Sequence, residues 1–279
     1  MTRLLLASLL AMDIAFAADL QPVKDAGPYV PSPQSVVSDM LRYADVGKDD
    51  FLIDLGSGDG RIVLTAAKVF GARGFGVEIK EDLVKRANEA AQKEGVADRV
   101  RFMKQDLFKT DISQASVITM YLLPDTVVLL RDKFLKELRP GTRIVSHDYP
   151  LTGWLAEKWM QMDLEDKVQI SGVTTTIIYL YIVPAQVGGE WQVRVPSALS
   201  KEPAKLVLRQ QQVSRVSGSL WLNRKEFPLE EPRLKGDQLS FRLAGHPGEF
   251  SGVVKGGEIA GQYEAASQKA SWSATQAKK

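Results

Sequence analysis

The chain has 279 residues, of which 44% are apolar and 25% are charged, so its composition is that of an ordinary globular protein. The formal net charge is only +2, which gives no electrostatic argument for binding nucleic acid, and no nucleic-acid partner is expected. The sequence lacks cysteine and has two histidines, His147 and His246. This excludes disulfides and thiolate sites and argues against a zinc enzyme, so no metal is expected.

The first 17 residues have the pattern of an export signal. Arg3 provides a positive start, residues 4–12 form an apolar run, and Ala15-Phe16-Ala17 fits the small-x-small pattern before a cleavage site. Asp13 interrupts the apolar run, so the alternative is an uncleaved segment and a cytoplasmic or membrane-associated chain. We expect a signal peptide at residues 1–17, an exported protein in the periplasm or medium, and no later membrane span.

Residues 18–49 form an N-terminal segment with one predicted amphipathic helix at residues 35–43. The preceding run Tyr29-Val-Pro-Ser-Pro33 is rich in proline. One hypothesis is that it folds as a lid over a bound ligand, with Tyr29 beside that ligand. The alternative is a linker that only leads into the helix.

Residues 50–184 alternate short β-branched runs with amphipathic segments. Strands are predicted at residues 51–55, 74–79, 100–103, 115–120 and 142–146, and helices at residues 61–70, 82–93 and 126–138. This alternation predicts an α/β domain with a parallel sheet covered on both faces. Two further runs, residues 167–172 and 173–183, meet at Ser171-Gly172 and predict an antiparallel hairpin that completes a seven-stranded sheet.

In residues 185–274 the helical pattern ends, and the sequence predicts short strands separated by glycine, asparagine or aspartate. The predicted strands are residues 191–195, 205–211, 216–222, 238–243, 249–254, 258–263 and 270–274. They predict an antiparallel meander that curls into a small barrel or half-barrel. Its interior is expected to be filled by Trp191, Trp221, Phe241, Phe250, Tyr263 and Trp272, with a ligand pocket as the alternative. Residues 275–279 are predicted to be a disordered tail.

The first predicted strand runs directly into a glycine-rich turn, Asp54-Leu-Gly-Ser-Gly-Asp-Gly60, which opens a helix. Gly56 and Gly58 allow the backbone to approach a ligand closely. A pyrophosphate cofactor prefers G-x-G-x-x-G, and it would be repelled by Asp54 and Asp59. The two carboxylates instead suit a cofactor with a cationic end, such as S-adenosylmethionine.

Two more acidic residues follow later strands of the same predicted sheet. Glu78 ends the second strand, about twenty residues after the glycine loop, where a carboxylate can accept both hydrogens of a ribose diol. Asp106, followed by Leu107, ends the third strand, where it can accept a hydrogen bond from an adenine amino group. A single Glu or Asp at a strand end is more often a helix cap or a surface charge, but four carboxylates in register with one fold favour a cofactor site.

These motifs resemble the class I S-adenosylmethionine-dependent methyltransferases. Within that class the chain is similar to the mitochondrial protein-lysine methyltransferases of the ATP synthase c subunit and the adenine nucleotide translocase, and to their bacterial relatives. The shared segments are residues 28–31, 54–63, 76–78, 82–84, 106–108, 121–124 and 143–154. The resemblance implies a Rossmann-like fold, S-adenosylmethionine as cofactor, and a protein lysine as acceptor. It implies Asp54, Gly56, Gly58, Glu78 and Asp106 as cofactor contacts, while the barrel has no counterpart in the mitochondrial enzymes.

Tyr121 follows the fourth predicted strand and is the first candidate for the acceptor site. Relatives that methylate adenine or glutamine carry Asn or Asp, two prolines and an aromatic residue here, whereas this chain has Tyr121-Leu-Leu-Pro124. That difference favours a flexible amine over a planar amide. An aromatic ring can also stabilise the methylated cation. The alternative is that Tyr121 only packs beneath the next helix.

His147 ends the fifth strand and is the second candidate, as a group that assists proton removal, with a structural role as the alternative. The leading hypothesis is a protein-lysine methyltransferase whose barrel recruits the substrate or stabilises the fold, with membrane proximity as an option. The alternatives are a small-molecule methyltransferase and a non-catalytic exported binding protein.

Overall fold

The computed structural model describes residues 29–266 and 268–277. The predicted signal peptide at residues 1–17 and the segment up to residue 28 lie outside the described residues. Among the helices of the described part, none is both long and apolar enough to cross a membrane.

The first domain is a seven-stranded sheet with helices on both faces. Its strands are β1 (Phe51–Leu55), β2 (Arg73–Glu78), β3 (Val100–Lys104), β4 (Val117–Met120), β5 (Arg143–His147), β6 (Lys158–Asp163) and β7 (Thr175–Ile182). The helices are α1 (Gln34–Tyr43), α2 (Arg61–Phe70), α3 (Glu81–Lys93), α4 (Pro124–Glu137) and α5 (Glu165–Ser171). The spatial order is β3-β2-β1-β4-β5-β7-β6, with β7 antiparallel to both of its neighbours. The predicted seven-stranded α/β fold is confirmed.

Apolar strands explain why the sheet is buried on both faces. Four of the five β1 residues and all four β4 residues are buried. One core lies between the sheet and helices α1, α2 and α3, and a second core lies between the sheet and α4. Burial on both faces is the pattern expected of parallel strands. It leaves the carboxyl ends of the strands as the edge at which polar side chains gather.

The predicted hairpin at residues 167–183 is wrong in its first half. Residues 165–171 form α5, and β6 pairs with β7 to make the antiparallel hairpin. The run looked like a strand because Val168 alternates with polar residues. Gly172 has a left-handed φ of 77°, which ends a helix, and the buried Lys167 is held by an ion pair that the sequence pattern does not reveal.

The second domain is a closed barrel of eight antiparallel strands, and the expected barrel is confirmed. The strands are β8 (Gly189–Arg194), β9 (Ala204–Gln211), β10 (Arg215–Leu222), β11 (Lys225–Lys235), β12 (Gln238–Leu243), β13 (Glu249–Lys255), β14 (Glu258–Ala265) and β15 (Gln268–Gln276). β11 was missed because it contains two prolines, which usually argue against a strand. A register shift between Glu230 and Arg233 accommodates the second proline.

Pairing of β15 with β8 closes the barrel. Thr275 lies opposite Gln192, and Gln276 lies opposite Trp191. The predicted disordered tail is therefore wrong at Thr275 and Gln276, since backbone pairing with the first barrel strand holds them.

Aromatic side chains fill the barrel as predicted, with one exception. The Phe241 and Phe250 rings stack with centroids 4.9 Å apart, and Trp272 packs edge-on at 5.5 Å from Phe250. Trp221 is the exception because β10 directs it to the outer face, where the Lys205 ammonium lies 5.5 Å from its ring centroid. Side chains along a strand alternate between the two faces of the sheet, so the inner and outer residues can be told apart only once the register of the strand is known.

The barrel touches the sheet domain at the turn between β11 and β12. The Ala185 N–H donates to the Gly236 carbonyl at 2.8 Å, and Lys235 pairs with Glu157 at 2.9 Å. Gly236 has a φ of 59°, and a Cβ there would lie 3.1 Å from the Gly141 Cα. The two domains therefore meet through closely packed backbone.

We expect Gly236→Ala to destabilise the protein by about 2 to 3 kcal/mol, from left-handed strain and from crowding at this contact. Gly256→Ala is the matched control, because Gly256 has a φ of 57° and nothing within 4 Å of its Cβ position. The control should cost about 1 kcal/mol. Urea unfolding measures both, and equal losses would show that the domain contact contributes nothing.

Candidate functional site

A cleft lies at the carboxyl ends of β1, β2 and β4. It encloses about 960 Å³, including its mouth to solvent. Nine of the ten predicted site residues line it, namely Tyr29, Asp54, Gly56, Gly58, Asp59, Glu78, Asp106, Leu107 and Tyr121. His147, the tenth, is not among the lining residues.

The glycine loop forms the floor of the cleft. The N–H groups of Gly56 and Ser57 both donate to the Val77 carbonyl, at 3.0 and 2.9 Å, which ties the loop to β2. Gly58 has a φ of 52°, and a Cβ there would lie 2.4 Å from the Tyr29 ring. The loop therefore requires glycine both for its conformation and for the ring that packs on it.

The segment that contains Tyr29 is attached to this loop through Asp59 and Arg61. The Arg61 Nη2 donates to Asp59 at 2.6 Å, and its Nη1 donates to the Ser32 carbonyl at 2.7 Å. Burial, followed by the charge of Asp59, raises the pKa of Tyr29 to about 12. Against the effect of burial, Arg61 lowers the pKa of Asp59. Asp59 is therefore an ionised carboxylate whose charge Arg61 offsets.

Asp54 is buried at the end of β1, and its Oδ1 accepts a hydrogen bond from the Thr119 hydroxyl at 2.7 Å. Burial raises the pKa of Asp54 to about 7, against the opposing effect of Thr119, and the charges of Glu78 and Asp59 add to the rise. A cation placed beside this carboxylate would favour its ionised form. Asp54 is thus suited to a positively charged ligand.

Glu78 and Asp106 are held by backbone amides at the ends of β2 and β3. The Glu78 Oε2 accepts from Gly58 N–H at 3.1 Å, and its Oε1 accepts from Ile79 and Lys80 N–H at 2.8 and 3.0 Å. The Asp106 Oδ1 caps a short turn by accepting from Phe108 N–H at 2.9 Å. The sequence offered a capping role and a cleft position as alternatives for Asp106. In the structure Asp106 has both.

These groups fit S-adenosylmethionine. The glycine loop is a cradle that a Cβ would fill, and the buried Asp54 carboxylate lacks a cation beside it among the described residues. Glu78 and Asp106 supply further hydrogen-bond acceptors along the same edge. The cleft is therefore acidic on the side that the glycine loop forms.

Tyr121 forms the opposite wall at the end of β4. Its ring centroid lies 3.9 Å from that of His147 and 6.5 Å from that of Tyr149, which is nearly parallel to it. Burial raises the pKa of the Tyr121 phenol, and the neighbouring Asp148 carboxylate raises it further. The phenol therefore stays protonated at neutral pH.

His147 lies beneath Tyr121 and is fully buried. Its Nδ1 is 2.9 Å from the Ser32 hydroxyl, and its Nε2 has no hydrogen-bond partner within the described part of the chain. Burial lowers the pKa of His147 to about 4, so the imidazole is neutral under ordinary conditions. Its contact with the cleft passes through the Tyr121 ring, and its role stays a prediction.

Sequence reasoning missed two charged residues behind this wall. Asp148 follows His147 directly, and the Lys167 ammonium lies 2.9 and 2.7 Å from its two carboxylate oxygens. The position of Asp148 after a strand was a visible signal. No sequence signal pointed to Lys167, because its ion pair with Asp148 depends on how α5 packs against the sheet.

The chain is similar to known methyltransferases. Residues 54–158 match the model of the ANTKMT methyltransferase domain. A protein-lysine N-methyltransferase of Saccharolobus islandicus is 41% identical over 56% of this chain and 93% of its own length. The adenine nucleotide translocase lysine N-methyltransferase of Mus musculus is 34% identical over 48% of this chain and 58% of its own length.

A solved structure agrees with these relatives. The crystal structure of an RNA methyltransferase from Salinibacter ruber, in complex with S-adenosyl-L-homocysteine, is 46% identical with a TM-score of 0.51. The match covers 57% of this chain and 96% of that chain. The demethylated cofactor in that structure agrees with the fit derived from the cleft. The chain belongs to the ANTKMT methyltransferase family and is an S-adenosylmethionine-dependent methyltransferase.

Proposed function

We propose that the chain methylates the side-chain amine of lysine residues in a protein. The observation that carries this proposal is the wall of the cleft at Tyr121, which offers an aromatic ring and a protonated hydroxyl. No Asn or Asp occupies this position to orient a planar amide. The names of the Saccharolobus islandicus and Mus musculus relatives support a lysine acceptor.

Methyl transfer needs little acid–base chemistry, so a wall without an ionised acid or base can still serve an amine acceptor. S-adenosylmethionine supplies an already activated methyl group, so the protein has to align the acceptor nitrogen and hold it close. The amine must lose its proton before it attacks, and a dry, weakly polar wall favours the neutral form. The Tyr121 oxygen can accept an N–H from that amine, and its ring faces the cation that forms.

On the cofactor side we propose separate roles for the acidic residues. Asp54 faces the cationic end of the cofactor, Glu78 accepts from the ribose hydroxyls, and Asp106 accepts from the adenine amino group with Leu107 beside it. Tyr29 covers the glycine loop as part of a lid. Each role rests on the cleft position and on the hydrogen bonds described above.

We also propose that the protein is exported. The support is the pattern of residues 1–17, with a positive start, an apolar run and a small-x-small site. Fractionation of cells followed by mass measurement of the chain tests this proposal. A full-length chain confined to the cytoplasm would contradict it.

Incubation with trideuteromethyl S-adenosylmethionine tests the lysine acceptor. The full chain is given soluble proteins, membrane proteins, total RNA and small metabolites in separate reactions, with Asp54→Ala as the inactive control. We expect the label on lysine after proteolysis and mass spectrometry. Label on nucleosides or on small metabolites alone would refute a lysine acceptor and leave the methyltransferase assignment intact.

Cofactor affinity should rise between pH 6 and pH 8. The pKa of Asp54 is about 7 in the free protein, and a bound cation stabilises its ionised form, so binding below pH 7 must release a proton. Calorimetry should show a roughly tenfold lower Kd at pH 8 than at pH 6. Asp54→Asn should remove this dependence. Thr119→Val is the matched control, and it should move the transition to higher pH because Thr119 lowers the pKa of Asp54.

Tyr121→Phe should lower kcat by roughly tenfold to a hundredfold and leave cofactor affinity within about twofold, because the hydroxyl contacts the acceptor amine and not the cofactor. Tyr149→Phe is a nearby control with an aromatic ring of the same size. Steady-state kinetics and calorimetry measure the two quantities. Equal losses in kcat and in cofactor affinity would count against a role at the acceptor.

A further inference from the structure

Ser32 joins the two sides of the cleft. Its carbonyl accepts a hydrogen bond from Arg61 Nη1 at 2.7 Å, and Arg61 is paired with Asp59 of the glycine loop. Its hydroxyl lies 2.9 Å from Nδ1 of His147, whose ring lies against that of Tyr121. Ser32 is 4% exposed and His147 is fully buried, so this contact is shielded from water. One residue thus contacts the cofactor side through its backbone and the acceptor side through its side chain.

The segment that contains Ser32 is anchored at both of its ends. At one end the Tyr29 ring packs so closely on Gly58 that a Cβ there would lie 2.4 Å from it. At the other end Pro33 leads directly into α1, whose apolar face is buried in the core of the sheet domain. Pro31 and Pro33 flank Ser32, and a proline restricts both its own backbone and that of the residue before it. The Ser32 hydroxyl therefore has a fixed direction.

Two arguments identify Ser32 as the donor in its hydrogen bond with His147. Among the described residues, no other group accepts from the Ser32 hydroxyl, so a donating Nδ1–H would leave the serine proton buried without a partner. On the other side of the ring, Nε2 lies 3.6 Å from Oδ1 of Asp148, where a carboxylate attracts an N–H and repels a lone pair. His147 is therefore the neutral Nε2–H tautomer, and its Nδ1 accepts from Ser32.

We propose that Ser32 is a positioning residue that couples the cofactor side of the cleft to the acceptor wall. It fixes the tautomer and the orientation of His147, and the imidazole supports the Tyr121 ring. Residues 29–32 line the cleft, so a cofactor bound there holds Ser32 in place and stabilises the alignment of Tyr121. By linkage, alignment of Tyr121 favours cofactor binding by the same factor. The inference rests on the proposed function only where it treats Tyr121 as the acceptor wall.

NMR of the full chain labelled with ring nitrogen-15 histidine tests this coupling, because the sequence contains only two histidines. His246→Gln assigns their signals. We expect His147 to show a protonated Nε2 and an Nδ1 that accepts a hydrogen bond, and S-adenosyl-L-homocysteine should shift both signals. Ser32→Ala should remove the hydrogen-bond shift of Nδ1 and most of the response to S-adenosyl-L-homocysteine.

Ser38→Ala is the matched control, since the Ser38 hydroxyl donates to the Gln34 carbonyl within α1 at 3.1 Å. This variant should show the His147 signals and the cofactor response of the wild type. An Nδ1–H tautomer in the wild type would overturn the inference. A response of wild-type size in Ser32→Ala would overturn it as well.

Kinetics on poly-L-lysine provide the second measurement. Ser32→Ala should lower kcat roughly tenfold, because a poorly aligned wall slows methyl transfer. It should weaken binding of S-adenosyl-L-homocysteine by no more than about threefold, because the carbonyl that Arg61 holds is unchanged. Circular dichroism confirms that the variant is folded.

The two measurements separate this inference from the proposed function. A wild type that shows the His147 response and methylates no lysine would refute the lysine acceptor and leave the coupling intact. A wild type that methylates poly-L-lysine, with kcat unchanged in Ser32→Ala, would overturn the inference alone.

Discussion

The burial of the Asp54 carboxylate at the end of β1 is the constraint on which the rest of the site depends. Burial in this position disfavours the ionised form of the carboxylate and so raises the pKa of Asp54. Within the part of the chain that the structure describes, no lysine or arginine pairs with Asp54 to relieve this cost. Thr119 donates one hydrogen bond, and the remaining compensation is left for a cationic ligand. The glycine loop, the Tyr29 ring and Glu78 enclose the space where that ligand fits.

Sequence reasoning identified most of the sheet domain because local signals agree with the final fold. The predicted helix at residues 61–70 has the bounds of α2, and the glycines on both sides of it have left-handed φ values of 83° and 73°. The cleft residues were also identifiable, because parallel strands bring their carboxyl ends to one edge. A polar residue that directly follows a buried strand in the sequence can therefore be assigned to the cleft.

The failures have a different physical origin. α5 is a seven-residue helix, and its third residue, Lys167, is held by a carboxylate nineteen positions earlier in the chain. No local pattern encodes that pair. β11 contains Pro228 and Pro232. It still pairs with β12, because a register shift between Glu230 and Arg233 accommodates the second proline. The end of β15 looks polar and disordered, and it is ordered only because closure of the barrel supplies β8 as a partner.

The two halves of the cleft differ in charge in the way that methylation of an amine requires. The glycine-loop half holds the carboxylates of Asp54, Glu78 and Asp106, and the buried Asp54 is the one proposed to face the cationic end of the cofactor. The opposite half presents a protonated phenol above a neutral imidazole, and the only carboxylate directly behind them among the described residues, Asp148, is paired with Lys167. If both halves were acidic, the acceptor would be held as an ammonium ion without a lone pair for attack. If both were neutral, the cofactor would lose its electrostatic attraction. The division of charge across the cleft therefore suits the proposed reaction, in which one side binds a cationic methyl donor and the other side receives a neutral amine.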